Sequence, residues 1–141
     1  MKLSTRGQYA VIALVDIATQ SSGAVVSLAD IAQRQEISQR YLEQLFAKLR
    51  RHGLVQGVKG ASGGYRITRN INDVTLLDIM KAVDEPIKTT RCDALDRGLC
   101  RPGGTTCQTH RIWMELGDTI SGFLQTKTLA DFLPPQSRPV S

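Results

Sequence analysis

The sequence predicts a mainly α-helical chain with one small β-hairpin, and three observations carry that expectation. Apolar residues recur at three- and four-residue steps through most of the chain. Two short alternating runs, 54–59 and 65–68, flank the turn Gly60-Ala61-Ser62-Gly63-Gly64. Charge is lopsided: residues 1–69 hold ten Lys/Arg against four Asp/Glu, whereas residues 70–141 hold eight against nine. The front half is therefore a candidate binder of polyanions.

Ser4 and Thr5 can cap a first helix, with Tyr9, Ile12, Ala13, Ile17 and Ala18 at helical spacing and Ser21-Ser22-Gly23 as its end. Ser27 opens a short second helix, and Asp30 three residues on resembles a capping box. Ser38 reads as the N-cap of a third helix over about 38–52, with Gly53 as a left-handed stop. Tyr41, Leu42, Leu45 and Leu49 form its expected buried stripe. The hairpin over about 54–68 follows. Three helices and a hairpin in this order make a winged helix-turn-helix.

Thr75, with Asp78, caps a connecting helix within 70–87, closed by Glu85-Pro86. Residues 88–106 carry charges, glycines and Pro102 without periodicity, and read as loop. A long helix is expected from about Thr106, with Ile112, Leu116, Ile120, Phe123 and Leu124 in step. Residues 128–133 form a last short helix, and Pro134-Pro135 open a loose tail over 134–141. Trp113, Ile120 and Phe123 are expected in the core or against a second copy of the chain. Few core residues are available to a domain of 141 residues.

A recognition helix needs one face fixed to its domain and another that reaches base edges. Arg40 can donate to guanine, Gln44 can pair with adenine, and Glu43 can accept from the cytosine amino group. Glu43 repels phosphate unless it finds that donor, so it selects against sequences without a suitably placed cytosine. Ser38 and Gln39 lie at the start of the same helix. Arg6, Lys48, Arg50 and Arg51 are expected to contact phosphates, which positions without specifying. At the wing, Lys59 and Arg66 flank a turn whose glycines, Gly60 first, let the backbone approach the duplex closely. Each signal alone is ordinary. Their order, on the basic half, is what points to double-stranded DNA.

All three cysteines lie with one of the two histidines in nineteen residues, Cys92, Cys100, Cys107 and His110, spaced C-x7-C-x6-C-x2-H. Met1-Lys2-Leu3-Ser4-Thr5-Arg6-Gly7 turns polar at once, unlike a secretory signal, and no apolar run approaches the roughly 18 residues of a membrane span. A cytoplasmic protein is expected, where reduced thiols favour metal ligation over disulfides. Cys107 and His110 would share one face of a helix start, whose positive end favours the thiolate. Zinc accepts three thiolates and one imidazole, but its usual knuckles are tighter than the first two gaps here. An iron–sulfur cluster tolerates wider gaps, and histidine ligation raises its potential. Cys107 and His110 as nucleophile and base would make an enzyme, but no oxyanion-hole or orienting-acid pattern stands beside them. An enzyme is not expected.

Residues 1–10 (MKLSTRGQYA), Ser38-Gln39-Arg40-Tyr41-Leu42-Glu43-Gln44-Leu45, Gly60-Ala61-Ser62-Gly63-Gly64-Tyr65 and the cysteines with His110 together resemble the Rrf2 family of bacterial transcription regulators, over about residues 1–133. The resemblance implies a homodimer with a winged helix-turn-helix per subunit (1–69), a cluster-binding loop (88–110) and a dimerisation helix region (106–133). It implies a [2Fe–2S] cluster held by Cys92, Cys100, Cys107 and His110, with the cluster-loaded form repressing the genes of cluster assembly. A cluster-assembly scaffold is an expected donor. The cysteine gaps are longer than in the best-known members, which keeps [4Fe–4S] and nitric-oxide or redox sensing open. Lys59 stands where those members carry a wing arginine, and it lacks the bidentate fork.

Overall fold

A computed structural model describes residues 5–20, 23–84 and 108–133. The helices are α1 (Thr5–Thr19), α2 (Leu28–Gln35), α3 (Gln39–Arg51), α4 (Leu76–Ala82) and α5 (His110–Thr126). Strands β1 (Val55–Val58) and β2 (Gly64–Ile67) pair antiparallel between α3 and α4, and a 3₁₀ turn over Leu129–Phe132 follows α5.

Local chemistry sets most boundaries. The Ser27 hydroxyl accepts from Asp30 N at 3.1 Å, and the Ser38 hydroxyl from Tyr41 N at 3.3 Å. Each satisfies a helix-start donor that has no partner inside the helix. Thr75 and Asp78 form a full capping box on α4. Gly53 ends α3 at φ 74°, as expected of a left-handed stop. α4 ends before Glu85-Pro86, because Asp84 already turns left-handed at φ 59°. Glu85 and Pro86 lie outside the described residues.

The core is continuous. Leu14, Ile31, Leu42, Leu45, Phe46 and Leu49 are fully buried between α1, α2 and α3. Val74, Ile79, Val83 and Leu129 extend the same cluster. Two expected stripes are corrected. Ile12 is 38% exposed, and Ala10 and Leu14 take the buried side of α1 instead. On α3, Phe46 is buried outright while Tyr41 is only half-buried, its ring edge-on to Tyr9.

One carboxylate belongs to this core. Asp16, on α1, is 4% exposed. It accepts from Arg34 at 2.7 and 3.0 Å and from Gln35 at 2.8 Å, fastening α1 to the end of α2.

The wing is stitched to the helices. Val26 and Tyr65 exchange backbone hydrogen bonds of 2.9 and 2.8 Å, and the Tyr65 ring rests 5.0 Å from that of Phe46. The hairpin glycines have a role inside the chain as well. A Cβ on Gly64 would collide with the Val26 carbonyl, and one on Gly63 with that of Val58. Close approach within the chain already requires both glycines.

α5 stands apart. Only Leu124 on it is buried, and Ile112, Trp113, Met114, Leu116 and Phe123 are exposed. Its C-terminal end returns to the body, where Leu76 N donates to Lys127 O at 2.9 Å and Leu129 N to Val74 O at 3.1 Å.

Candidate nucleic-acid interface

α3 buries Leu42, Leu45, Phe46 and Leu49, and its other side is left outward. Ser38, Gln39, Arg40, Glu43 and Gln44 are all exposed there. Arg40, Gln44 and Lys48 follow one another at four-residue steps, which places them along one line of the helix. Glu43 lies beside that line. Donor, acceptor and amide side chains thus occupy one open face, the chemistry needed to read base edges.

Lys48 and Arg6 are not simple surface cations. Together with Thr5, Tyr41, Gln44 and Leu45 they line a cleft between the start of α1 and the middle of α3. Lys48 Nζ donates to the Asp84 carboxylate at 3.1 Å, and Arg6 Nη2 donates to the Asp84 carbonyl at 3.0 Å. The hydrogen bond and charge of Lys48 hold the Asp84 carboxyl below its ordinary range, with Arg6 and His52 adding to the effect. Arg50 and Arg51 are exposed on the last turn of α3.

The wing divides its cations. Lys59 and Arg50 line one groove with Gln56, Val58 and Tyr65. Arg66 pairs across the hairpin with Gln56, whose side-chain oxygen accepts from Arg66 at 2.8 and 3.2 Å. Gly60, at φ 113°, sits at the tip with an exposed backbone. The structure therefore brings Arg6, Gln44 and Lys48 together, and Arg50 with Lys59, as separate basic clusters around the open face of α3.

Sequence reasoning missed Asp84 and Gln56. Counting back from the hairpin turn gives the Gln56–Arg66 register, so that pair was within reach. The Lys48–Asp84 contact spans 36 residues and has no local signature.

Of the expected metal ligands, Cys92, Cys100 and Cys107 lie outside the described residues. His110 is half-buried and is the first residue of α5. The helix was expected from about Thr106, but Gln108 and Thr109 form a turn, and the Thr109 carbonyl accepts the first bonds, from Ile112 and Trp113. Thr109 makes no side-chain cap; its hydroxyl instead accepts from Trp113 Nε1 at 3.0 Å.

No helix among the described residues is long and apolar enough to cross a membrane. The chain matches the family model "Rrf2: Iron-dependent Transcriptional regulator" over residues 3–135. It is 43% identical over 136 residues to the HTH-type transcriptional regulator IscR of Escherichia coli O1:K1 / APEC, covering 96% of this chain and 82% of that one. Among solved structures, it resembles CymR, the global cysteine regulator of B. subtilis, with a TM-score of 0.76 at 30% identity, covering 93% of this chain and 95% of that one. It also resembles T. potens IscR, with a TM-score of 0.71 at 35% identity, covering 93% and 85%. A helical body with an antiparallel wing, an open polar face on α3 and a family match along nearly the whole chain agree: the chain belongs to the Rrf2 family of DNA-binding transcriptional regulators and is not an enzyme.

Proposed function

We propose that the chain senses iron–sulfur cluster supply through a [2Fe–2S] cluster held by Cys92, Cys100, Cys107 and His110. Cluster-loaded homodimers repress the genes of cluster assembly. The observation that carries this reading is His110, the imidazole of a three-cysteine, one-histidine set, placed at the first turn of α5. The donor set fits such a cluster. Three thiolates bring negative charge, and the positive end of a 17-residue helix with no side-chain cap from Thr109 stabilises it there. Bound, the cluster supplies a labile occupant, lost more readily for having a neutral imidazole in place of a fourth thiolate. A cluster-assembly scaffold is its donor, and the reduced thiols of the cytoplasm suit its assembly.

The chain's own residues do the rest. Arg40, Glu43 and Gln44, with Ser38 and Gln39, read bases in the major groove. Arg6, Lys48, Arg50 and Arg51 hold phosphates, and the wing cations Lys59 and Arg66, with the Gly60 backbone, meet the neighbouring groove. The open apolar side of α5 joins two subunits, so that two reading helices address one operator.

Purification without oxygen tests the sensor. The expected protein is coloured and carries two iron and two sulfide per chain. Cys92→Ala and His110→Ala should each lose or weaken the visible spectrum while the dimer stays folded. Four iron per chain would support a [4Fe–4S] redox or nitric-oxide sensor instead, and colourless protein with one zinc a structural site. Unchanged spectra in both variants would overturn the ligand set.

A further inference from the structure

A negative charge is set into the basic face, and its backbone is held there. Asp84 turns left-handed at the end of α4, with its N–H on the Lys81 carbonyl at 3.2 Å. Its own carbonyl accepts from Arg6 at 3.0 Å. Thus placed, its carboxylate meets Lys48 Nζ at 3.1 Å. Lys48 closes the line Arg40–Gln44–Lys48, at the end of α3 farthest from its N-cap. A helix lying in the major groove turns such a terminal cation toward the phosphate backbone. The Lys48 side chain keeps 30% of its exposure and that of Asp84 67%, so a phosphate can reach the pair from solvent.

Stability gives little reason for a carboxylate here. Exposed ion pairs contribute little to folding. The surroundings instead collect Arg6 and Lys48, both hydrogen-bonded to Asp84.

We propose that Asp84 is a built-in competitor for DNA phosphate: its carboxylate occupies Lys48 in the free protein and must give Lys48 up when α3 docks on a duplex. This rests on the reading of α3 as the DNA-contacting helix. Asp84 touches no base, so it lowers affinity for every sequence alike. It also shortens the time the protein spends on random DNA.

The test uses the full chain and a mixed-sequence duplex, with affinity measured across a salt series. Asp84→Asn removes the charge, keeps the carbonyl that Arg6 uses and tolerates the left-handed backbone. Binding should tighten about fivefold, and the plot of log affinity against log salt should steepen by about one as Lys48 takes up a phosphate fully. In a Lys48→Gln background, Asp84→Asn should gain about twofold or less. Asp84→Gly, also suited to a positive φ, repeats the test without the amide.

Unchanged or weaker binding in both Asp84 variants overturns the proposal. So does an equal gain with Lys48→Gln, which would mark a general charge effect rather than competition for this lysine. Lys48→Gln alone reports on the underlying reading: if it leaves affinity and salt slope untouched, α3 does not dock by this end. A weakened Lys48→Gln with no gain from Asp84→Asn overturns the competitor alone.

Discussion

Asp16 ties two helices through one side chain. Burial pushes its carboxyl up, but hydrogen bonds from Arg34 and Gln35 and the charge of Arg34 outweigh that and hold it below its ordinary 3.8. A carboxyl lowered by folding adds stability above its unfolded value and loses it as pH falls through the lower, folded value. The Asp16 contribution should therefore be complete at neutral pH and drain away below about pH 3.8. Asp16→Ala should cost about 2 kcal/mol at pH 7, less than breaking a fully buried pair because the half-exposed Arg34 can turn to water. Asp16→Asn should flatten the acid limb of a plot of melting temperature against pH. An acid limb like that of the unaltered chain would show that other carboxylates govern the transition. The tie also has a functional side, since α2 and α3 form the helix-turn-helix and α1 carries Arg6 to the cleft beside Lys48.

At the scale of elements, the wing is held at two points. Its inner strand shares backbone bonds with Val26, and Tyr65 leans on Phe46 of α3. The Tyr65–Phe46 contact thus helps fix the wing to α3, beside the packing of Leu54 and Val55 in the same core. Gly64→Ala should break this arrangement, since the added methyl meets the Val26 carbonyl rather than a side chain that can move. We expect a loss of about 1–3 kcal/mol in denaturant unfolding, and weaker DNA binding with little change in base preference. Normal stability would show that the segment before α2 moves aside without cost. The same elements show what a sequence exposes. Ser27, Ser38, Thr75 and Gly53 marked helix ends correctly because each acts on backbone within three or four residues of itself. The open face of α3 was legible for a related reason: Arg40, Glu43 and Gln44 follow from the period once Leu42, Leu45 and Leu49 are assigned inward. Ile12, Phe46 and the Val26–Tyr65 bridge were not legible, because what covers a residue comes from elements far along the chain. The long helix was expected from about Thr106 but starts at His110, where the Thr109 carbonyl accepts the first bonds.

On the scale of the whole molecule, α5 is the element that a single chain leaves incomplete. Ile112, Leu116 and Phe123 are 51%, 40% and 57% exposed and recur along one side of the helix. Seventeen residues extend about 25 Å, long enough to carry a continuous apolar seam. Lys127 lies 5.5 Å over the Phe123 ring, so the seam ends in a cation near the point where the chain rejoins its body. In the homodimer proposed above, a second copy would supply a matching seam by symmetry, and crossing the two helices would bury both. Leu116→Glu places a charge in the middle of that seam. The expected outcome in light scattering is a shift from twice the 15.5 kDa chain mass toward one, with the dimer weakened about 100-fold. DNA affinity should fall with it, because a dimer presents its second reading helix at high effective concentration and a monomer does not. The melting of the head around Phe46 should change little, since Leu116 touches none of that core. A Leu116→Glu chain that remained dimeric and bound its operator as before would place the subunit interface on another surface, and α5 would then need a different explanation for its open apolar side.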